Sequence, residues 1–210
     1  MNTQPQHKES IEQIVGLVEG TISLNDFRRF FETSATLEAC LKDDPELPRG
    51  TYIGSNVYDY ILQESTRPNC WTRPGSLLNI HGALSQFLDR HKISYKPTKQ
   101  YQETYDLILS SQPKWLDIDD NFFKEKILSA APQLSKTELK KWLKEQILKL
   151  FKYANKPPKW IQNPDWPIGA NGPLVFLGQL EVKNYFHDSA DVYVFHDQTT
   201  GAIQTVVQVF

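Results

Sequence analysis

Histidines are the first residues in this chain that could carry chemistry, and there are five: His7, His81, His91, His187 and His196. His81 and His91 lie ten positions apart on one expected helix. That is about 15 Å along its axis, too far to share a metal. In His187-Asp188 and His196-Asp197 a carboxylate stands next to an imidazole it could orient. No Ser, Cys or further carboxylate follows beside either pair as a nucleophile, and a polar turn at a hairpin end is the simpler reading. Two acidic clusters, Asp43-Asp44 with Glu46 and Asp117 with Asp119 and Asp120, have the chemistry to bind a cation or meet a basic partner. Neither follows the EF-hand pattern, and Asp119 and Asp120 also suit a helix N-cap. Pro45 and Pro48 beside Asp43 and Asp44 predict a rigid, exposed loop. The two cysteines, Cys40 and Cys70, form no CxxC and read as reduced thiols, Cys40 on an apolar helical face. No phosphate-binding loop, dinucleotide fingerprint, nucleophile elbow or HExxH occurs. The residues therefore assign no catalytic group, no metal site and no cofactor.

Charge is distributed unevenly. From Lys136 to Lys159 eight lysines face two glutamates, a net of +6; from Trp160 to Phe210 one lysine faces five acids, a net of −4. The basic stretch is able to meet nucleic-acid phosphates, but it holds no Arg, the usual base and phosphate reader. A solvated lysine face on a packing helix is the commoner arrangement. The acidic stretch is also rich in rings: Trp160, Trp166, Tyr185, Phe186, Tyr193, Phe195 and Phe210. A module of about fifty residues does not bury all of these, so one or two are expected at an interface, with the helical part of the chain or with a partner.

The elements that must position these residues are mostly helices. Apolar residues recur at helical spacing from Ile11 to Val18 (with Ser10 and Gln13 as a capping box and Gly20 as the stop), after Ser23 or Asn25, after Ser34, after Ser55, from Ser76 to His91, from about Thr98 to Ser110, after Asp119 or Asp120, and after the capping box Ser135–Glu138. At Lys156 the character changes. Five prolines and two glycines in KPPKWIQNPDWPIGANGP exclude a helix. Beyond them Leu174–Leu177, Asp191–His196 and Ala202–Phe210 read as strands, the last two joined at DQTTG as a hairpin. The fold class expected is α+β: a mostly helical domain over 1–156, followed by a small antiparallel β module over 157–210 packed on it, unless the two form one continuous domain.

Length and composition agree. A chain of 210 residues with 40% hydrophobic and 23% charged residues and a net charge of −2 is ordinary globular material. Near-neutrality argues against a nucleic-acid-coating protein. The apolar runs are far shorter than the roughly 20 residues that span a bilayer, and the polar start MNTQPQHKES lacks a secretory core. A cytoplasmic protein with no membrane association is expected.

The closing segment also carries a resemblance. Trp160-Ile161-Gln162, Asp165-Trp166-Pro167, Gly172-Pro173-Leu174, Phe176-Leu177-Gly178-Gln179 and the hairpin Asp197 to Gly201 resemble the C-terminal part of bacterial immunity proteins of polymorphic toxin systems, Rhs-type or contact-dependent. Upstream, NIHGALSQFL and YQETYDLIL are consistent with them. The resemblance covers about fifty residues. It implies a cytoplasmic, non-enzymatic protein that binds a cognate toxin domain 1:1 and blocks its active site, with an ADP-ribosyltransferase favoured over a nuclease as that toxin. It needs no cofactor and contacts no nucleic acid. On this reading Trp166, Tyr185 and Phe186 are candidate toxin-binding anchors. Asp43, Asp44, Asp188 and Asp191 are candidate charge partners for a positive toxin cleft. The alternatives are a nucleic-acid-binding module using the lysine-rich helix and a hydrolase that reverses a toxin's modification.

Overall fold

The computed structural model describes residues 5–44, 46–47, 54–182 and 190–209. Among them are eight α-helices: α1 Pro5–Glu19, α2 Leu24–Thr33, α3 Ala35–Lys42, α4 Val57–Ser65, α5 Pro74–Arg90, α6 Gln100–Ser111, the short α7 Asp120–Phe122 and α8 Lys136–Leu150. Five strands follow: β1 Ile168–Gly169, β2 Gly172–Pro173, β3 Val175–Val182, β4 Ala190–His196 and β5 Ile203–Val209. The expected helical part followed by a small antiparallel β module is what the chain forms. No described helix is long and apolar enough to cross a membrane.

The chain divides into two compact units, Met1–Asp106 and Leu107–Phe210. The expected boundary at 156 falls inside the second unit, because α8 and the strands share one core. Leu143, Ile147 and Phe151 bury together with Trp166, Phe176, Tyr193 and Phe195. A helix with an apolar stripe must cover something, and α8 covers the sheet that follows it.

The first unit is helical. Hydroxyl and amide side chains start its helices: Ser23 accepts from the Asp26 amide (3.1 Å), Ser34 from Leu37 (3.2 Å) and Asn56 from Asp59 (2.9 Å). Three starts differ from the periodicity. α1 begins at Pro5, five residues before Ser10, whose buried hydroxyl lies 3.5 Å from that of Thr36. α4 is capped by Asn56 and not Ser55. α5 begins at Pro74, where a ring that fixes φ and lacks an N–H suits the first turn. The core joins Ile14, Leu17 and Val18 to Phe27, Phe31, Leu37, Leu41, Ile61, Leu84 and Phe87, with Trp71 closing over Phe27 and Phe31.

In the second unit Asp119 accepts from the amides of Asn121 and Phe122 (3.1 and 2.9 Å), and Ser135 and Glu138 cap α8 reciprocally, as expected. Strands β3, β4 and β5 form an antiparallel sheet in that order. Phe176 stands opposite Phe195, with a bulge at Leu177; Leu180 opposite Val192; Val192 opposite Val207. The turn Asp197–Ala202 closes the expected hairpin, with Gly201 at φ +73°. β3 runs to Val182, well past the expected Leu177, and β1 and β2 form a two-residue ladder inside the proline-rich stretch.

Candidate functional site

The candidate site is built from the sheet's alternation. Side chains on successive strand residues point to opposite faces. Phe176, Tyr193 and Phe195 are buried on one face, so their neighbours Leu180, Val192, Val194 and Val207 take the other.

The inner face is covered by the proline-rich segment as well as by α8. Trp160 lies on the Tyr193 ring (centroids 4.3 Å apart), and its indole donates to the Trp115 carbonyl (3.0 Å). Trp166 packs edge-on against Phe151 (5.6 Å) and Phe195 (5.3 Å), and its indole donates to the Leu174 carbonyl (2.8 Å). Polar side chains of the strands bind the backbone of this segment, which has no regular partners of its own. The Tyr193 hydroxyl donates to the Lys159 carbonyl and accepts from the Ile161 amide, both at 3.0 Å. Gln179 accepts from the Lys159 amide (2.7 Å) and donates to its carbonyl (3.2 Å). Gln208 accepts from the Gln162 amide (3.0 Å) and donates to the Asn163 carbonyl (2.8 Å). Burial pushes the Tyr193 phenol up from its ordinary value.

The outer face is aliphatic and open. Leu180 is 65% exposed, Ile203 58%, Val207 51% and Val209 36%, while Val175, Val182, Val192 and Val194 are half-buried between them. Strand β5, IQTVVQV, carries no charge. Isolated exposed aliphatics are normal on any protein; a contiguous sheet of them marks an interaction surface.

A groove of about 320 Å³ lies at the β3 edge of the sheet, lined by Lys156, Pro157, Lys159 and Leu177 together with the inner-face residues Phe176 and Gln179. It exists because the chain is tied to β3 at two points and bows away between them. The Phe176 amide donates to the Lys152 carbonyl, and the Ala154 amide to the Phe176 carbonyl (2.9 Å each). The Gln179 side chain makes the second tie at Lys159. Lys156 and Lys159 are exposed, and neither has an ion-pair partner among the described residues.

The residues proposed from sequence as toxin contacts are not brought together. Trp166 is buried in the core and presents no anchor. Asp44 is buried and accepts from Arg90 Nε (2.9 Å) and Nη2 (2.6 Å), with His91 Nε2 at 3.5 Å, so its charge ties the end of α3 to the end of α5. Asp191 is buried on the inner face, where Gln179 donates to it (2.9 Å). Asp43 is exposed at the end of α3. Tyr185, Phe186 and Asp188, with His187, lie outside the described residues. The exposed aliphatic residues of the outer face were missed. Their signal was legible in part: Val207 and Val209 alternate with Gln208 and Phe210, but which set of side chains the chain covers cannot be read from alternation alone.

Four of the groups able to do acid–base or nucleophilic chemistry, His81, Asp197, Cys40 and Cys70, are turned to the fold. The imidazole of His81 binds the Val18 carbonyl through Nε2 (3.0 Å), packs at a tilt against Tyr101 (centroids 5.2 Å apart), and is held below its ordinary pKa by burial. Asp197, next to His196, accepts from the amides of Thr199 and Thr200 (2.8 and 3.3 Å) within its own turn. Burial, with Glu64 adding to it, pushes the Cys70 thiol up to about 11; burial and Asp43 do the same to Cys40. That is the opposite of an activated nucleophile. No group of three metal-ligating side chains occurs among the described residues. The chain matches no protein family, no curated protein and no solved structure.

Proposed function

We propose that this chain is an immunity-type binding protein, which captures a toxin domain in the cytoplasm and neutralises it by occupying its surface, without catalysis of its own. The observation that carries this reading is the outer sheet face. Leu180, Ile203, Val207 and Val209 are held in register by backbone pairing on both sides of β4, a preorganised aliphatic surface that loses little conformational entropy on binding. The toxin as the captured partner comes from the resemblance of the closing fifty residues, whose Trp160, Trp166, Gln162 and Gln179 fasten the inner face and so leave the outer one free to bind.

The test is co-expression of the tagged chain with the toxic C-terminal domain of the polymorphic toxin encoded beside it. A 1:1 complex and survival of cells that otherwise die are expected. Their absence overturns the reading. Leu180→Asp with Val207→Asp, both at exposed positions, is expected to abolish capture while circular dichroism stays unchanged. Undiminished capture by that folded variant removes the outer face as the binding surface.

A further inference from the structure

The rest of the chain treats the two edges of the β3–β4–β5 sheet differently. Residues 152–159 lie along the β3 edge. The Phe176 amide donates to the Lys152 carbonyl, the Ala154 amide to the Phe176 carbonyl, and the Gln179 side chain bonds the Lys159 backbone. The bulge at Leu177 and the charge of Glu181 also stand on that strand. β5 forms the other edge. Its sequence, IQTVVQV, holds no charge, no proline and no glycine, and all seven residues follow β4 without a bulge. The usual devices that keep an edge from pairing are missing from it.

The ladder fixes which backbone groups β5 turns outward. The Asp197 amide donates to the Ala202 carbonyl at the hairpin. Bonded pairs recur at every second residue of an antiparallel ladder, so Gln204, Val206 and Gln208 bond β4. Ile203, Thr205, Val207 and Val209 then point their N–H and C=O groups away from the sheet. The Val209 carbonyl accepts from the side-chain amide of Gln162, which agrees with this phase and closes that end of the edge. On the outward side, the backbones of Ile203, Thr205 and Val207 meet no partner among the described residues, and all three residues are exposed.

We propose that β5 pairs antiparallel with β5 of a second copy of this chain, about a twofold axis at Thr205. In that register Thr205 faces its own counterpart, and Ile203 faces Val207 on either side of it. Each of these three pairs exchanges two backbone hydrogen bonds, which satisfies every outward group from Ile203 to Val207. The side chains match as well. On the outer face a Thr–Thr pair stands between two Ile–Val pairs, and on the inner face Gln204 meets Val206, with no like charges opposed. The contact is isologous, and the covered β3 edge stops it at two copies. It runs along the edge and leaves Leu180 and Val192 uncovered, so it goes beyond the binding reading of the outer face and needs no toxin.

The experiment uses the full chain alone. Sedimentation equilibrium over a hundred-fold range of protein concentration is expected to show a reversible monomer–dimer equilibrium and no larger species. Thr205→Pro removes an outward N–H and leaves the β4 ladder its bonds. It is expected to weaken the dimer at least ten-fold while circular dichroism stays unchanged. Thr205→Cys reads the register without depending on that variant. Across a bonded pair the Cα atoms lie about 5.5 Å apart, within disulfide reach. Diamide is therefore expected to cross-link Thr205→Cys into a dimer. It should leave Gln204→Cys, displaced from the axis, and the wild-type chain, whose Cys40 and Cys70 are buried, as monomers on a non-reducing gel. A wild-type chain that stays monomeric throughout overturns the proposal and leaves the edge to a strand of another protein. A dimer that folded Thr205→Pro does not weaken, or cross-linking of Gln204→Cys as strong as that of Thr205→Cys, overturns it too.

Discussion

On the inner face of the β3–β4–β5 sheet, Phe176, Tyr193 and Phe195 are met by Trp160, Trp166 and Phe151. On the outer face, Leu180 and Val207 stand more than half exposed. Both faces are apolar, and hydrophobicity does not tell them apart. They differ in the polar groups at hand. The inner face carries Tyr193, Gln179 and Gln208, whose side chains bond the backbone of residues 159–163 and so hold an irregular, proline-rich segment over the rings. The outer face offers Thr205 and His196 at one end and aliphatic side chains elsewhere. A loop laid over it would leave its own amides and carbonyls unpaired, at a cost comparable to a lost hydrogen bond for each. A surface that folds elsewhere, with its backbone already satisfied, can cover it.

The comparison breaks most severely at Trp166. Trp166→Ala should destabilise the second unit by about 3–5 kcal/mol, through lost contacts with Phe151, Phe176 and Phe195 and a cavity in their place. Urea denaturation followed by circular dichroism measures this. A loss below about 1 kcal/mol would mean that the inner face is not the core. Asp44→Ala, an inward-turned acid in the other unit, should cost about 1–3 kcal/mol by removing the two charge-assisted bonds from Arg90 and leaving it only Glu46. Asp43→Ala should fall within about 0.5 kcal/mol.

Tyr193→Phe keeps the ring and removes the hydroxyl that joins the Lys159 carbonyl to the Ile161 amide. About 1–3 kcal/mol should be lost if that hydroxyl fastens the cover. The same group sharpens the comparison through pH. Its folded pKa is raised, so above pH about 10 the unfolded chain gives up this proton while the folded chain keeps it. Stability then falls as pH rises through that range. The fall should be shallower for Tyr193→Phe in parallel melts of the two proteins between pH 9 and 11. The smallest effect belongs to the outer face. Leu180→Ser and Val207→Ser should each change stability by less than about 0.5 kcal/mol in the same urea titration. A larger loss would show that this face is part of the folding core.

Much of the fold was legible in the residues. The helix starts at Ser23, Ser34, Asp119 and Ser135 follow from side chains that cap locally, and the Asp197–Gly201 hairpin follows from a turn that only a few residue types make. What failed was non-local. Ser10 and Gln13 match a capping box, yet the helix continues upstream to Pro5. The unit boundary expected at the helix-to-strand change lies about fifty residues earlier, between Asp106 and Leu107, because α8 spends its apolar stripe on the strands. Of the candidate residues, Asp43 is exposed as its loop position suggested, while Trp166, Asp44 and Asp191 are turned inward by the packing of other elements, Asp44 by Arg90 across 46 positions.

The sequence by itself determined the element types, most of their caps, the hairpin, the alternation of β4 and β5 and the two blocks of charge. Each rests on interactions within a few residues, or on a period that one strand or helix imposes. Only the tertiary structure decided which of two adjacent aspartates is buried, which face of an apolar sheet receives the proline-rich segment and where the lysines of residues 156–159 stand. Those outcomes depend on Arg90 reaching Asp44 across 46 positions and on Gln179, Tyr193 and Gln208 reaching back 20 to 45 positions to the covering segment. Residue type and spacing do not encode contacts at such separations; they arise when packed elements bring distant partners within bonding distance.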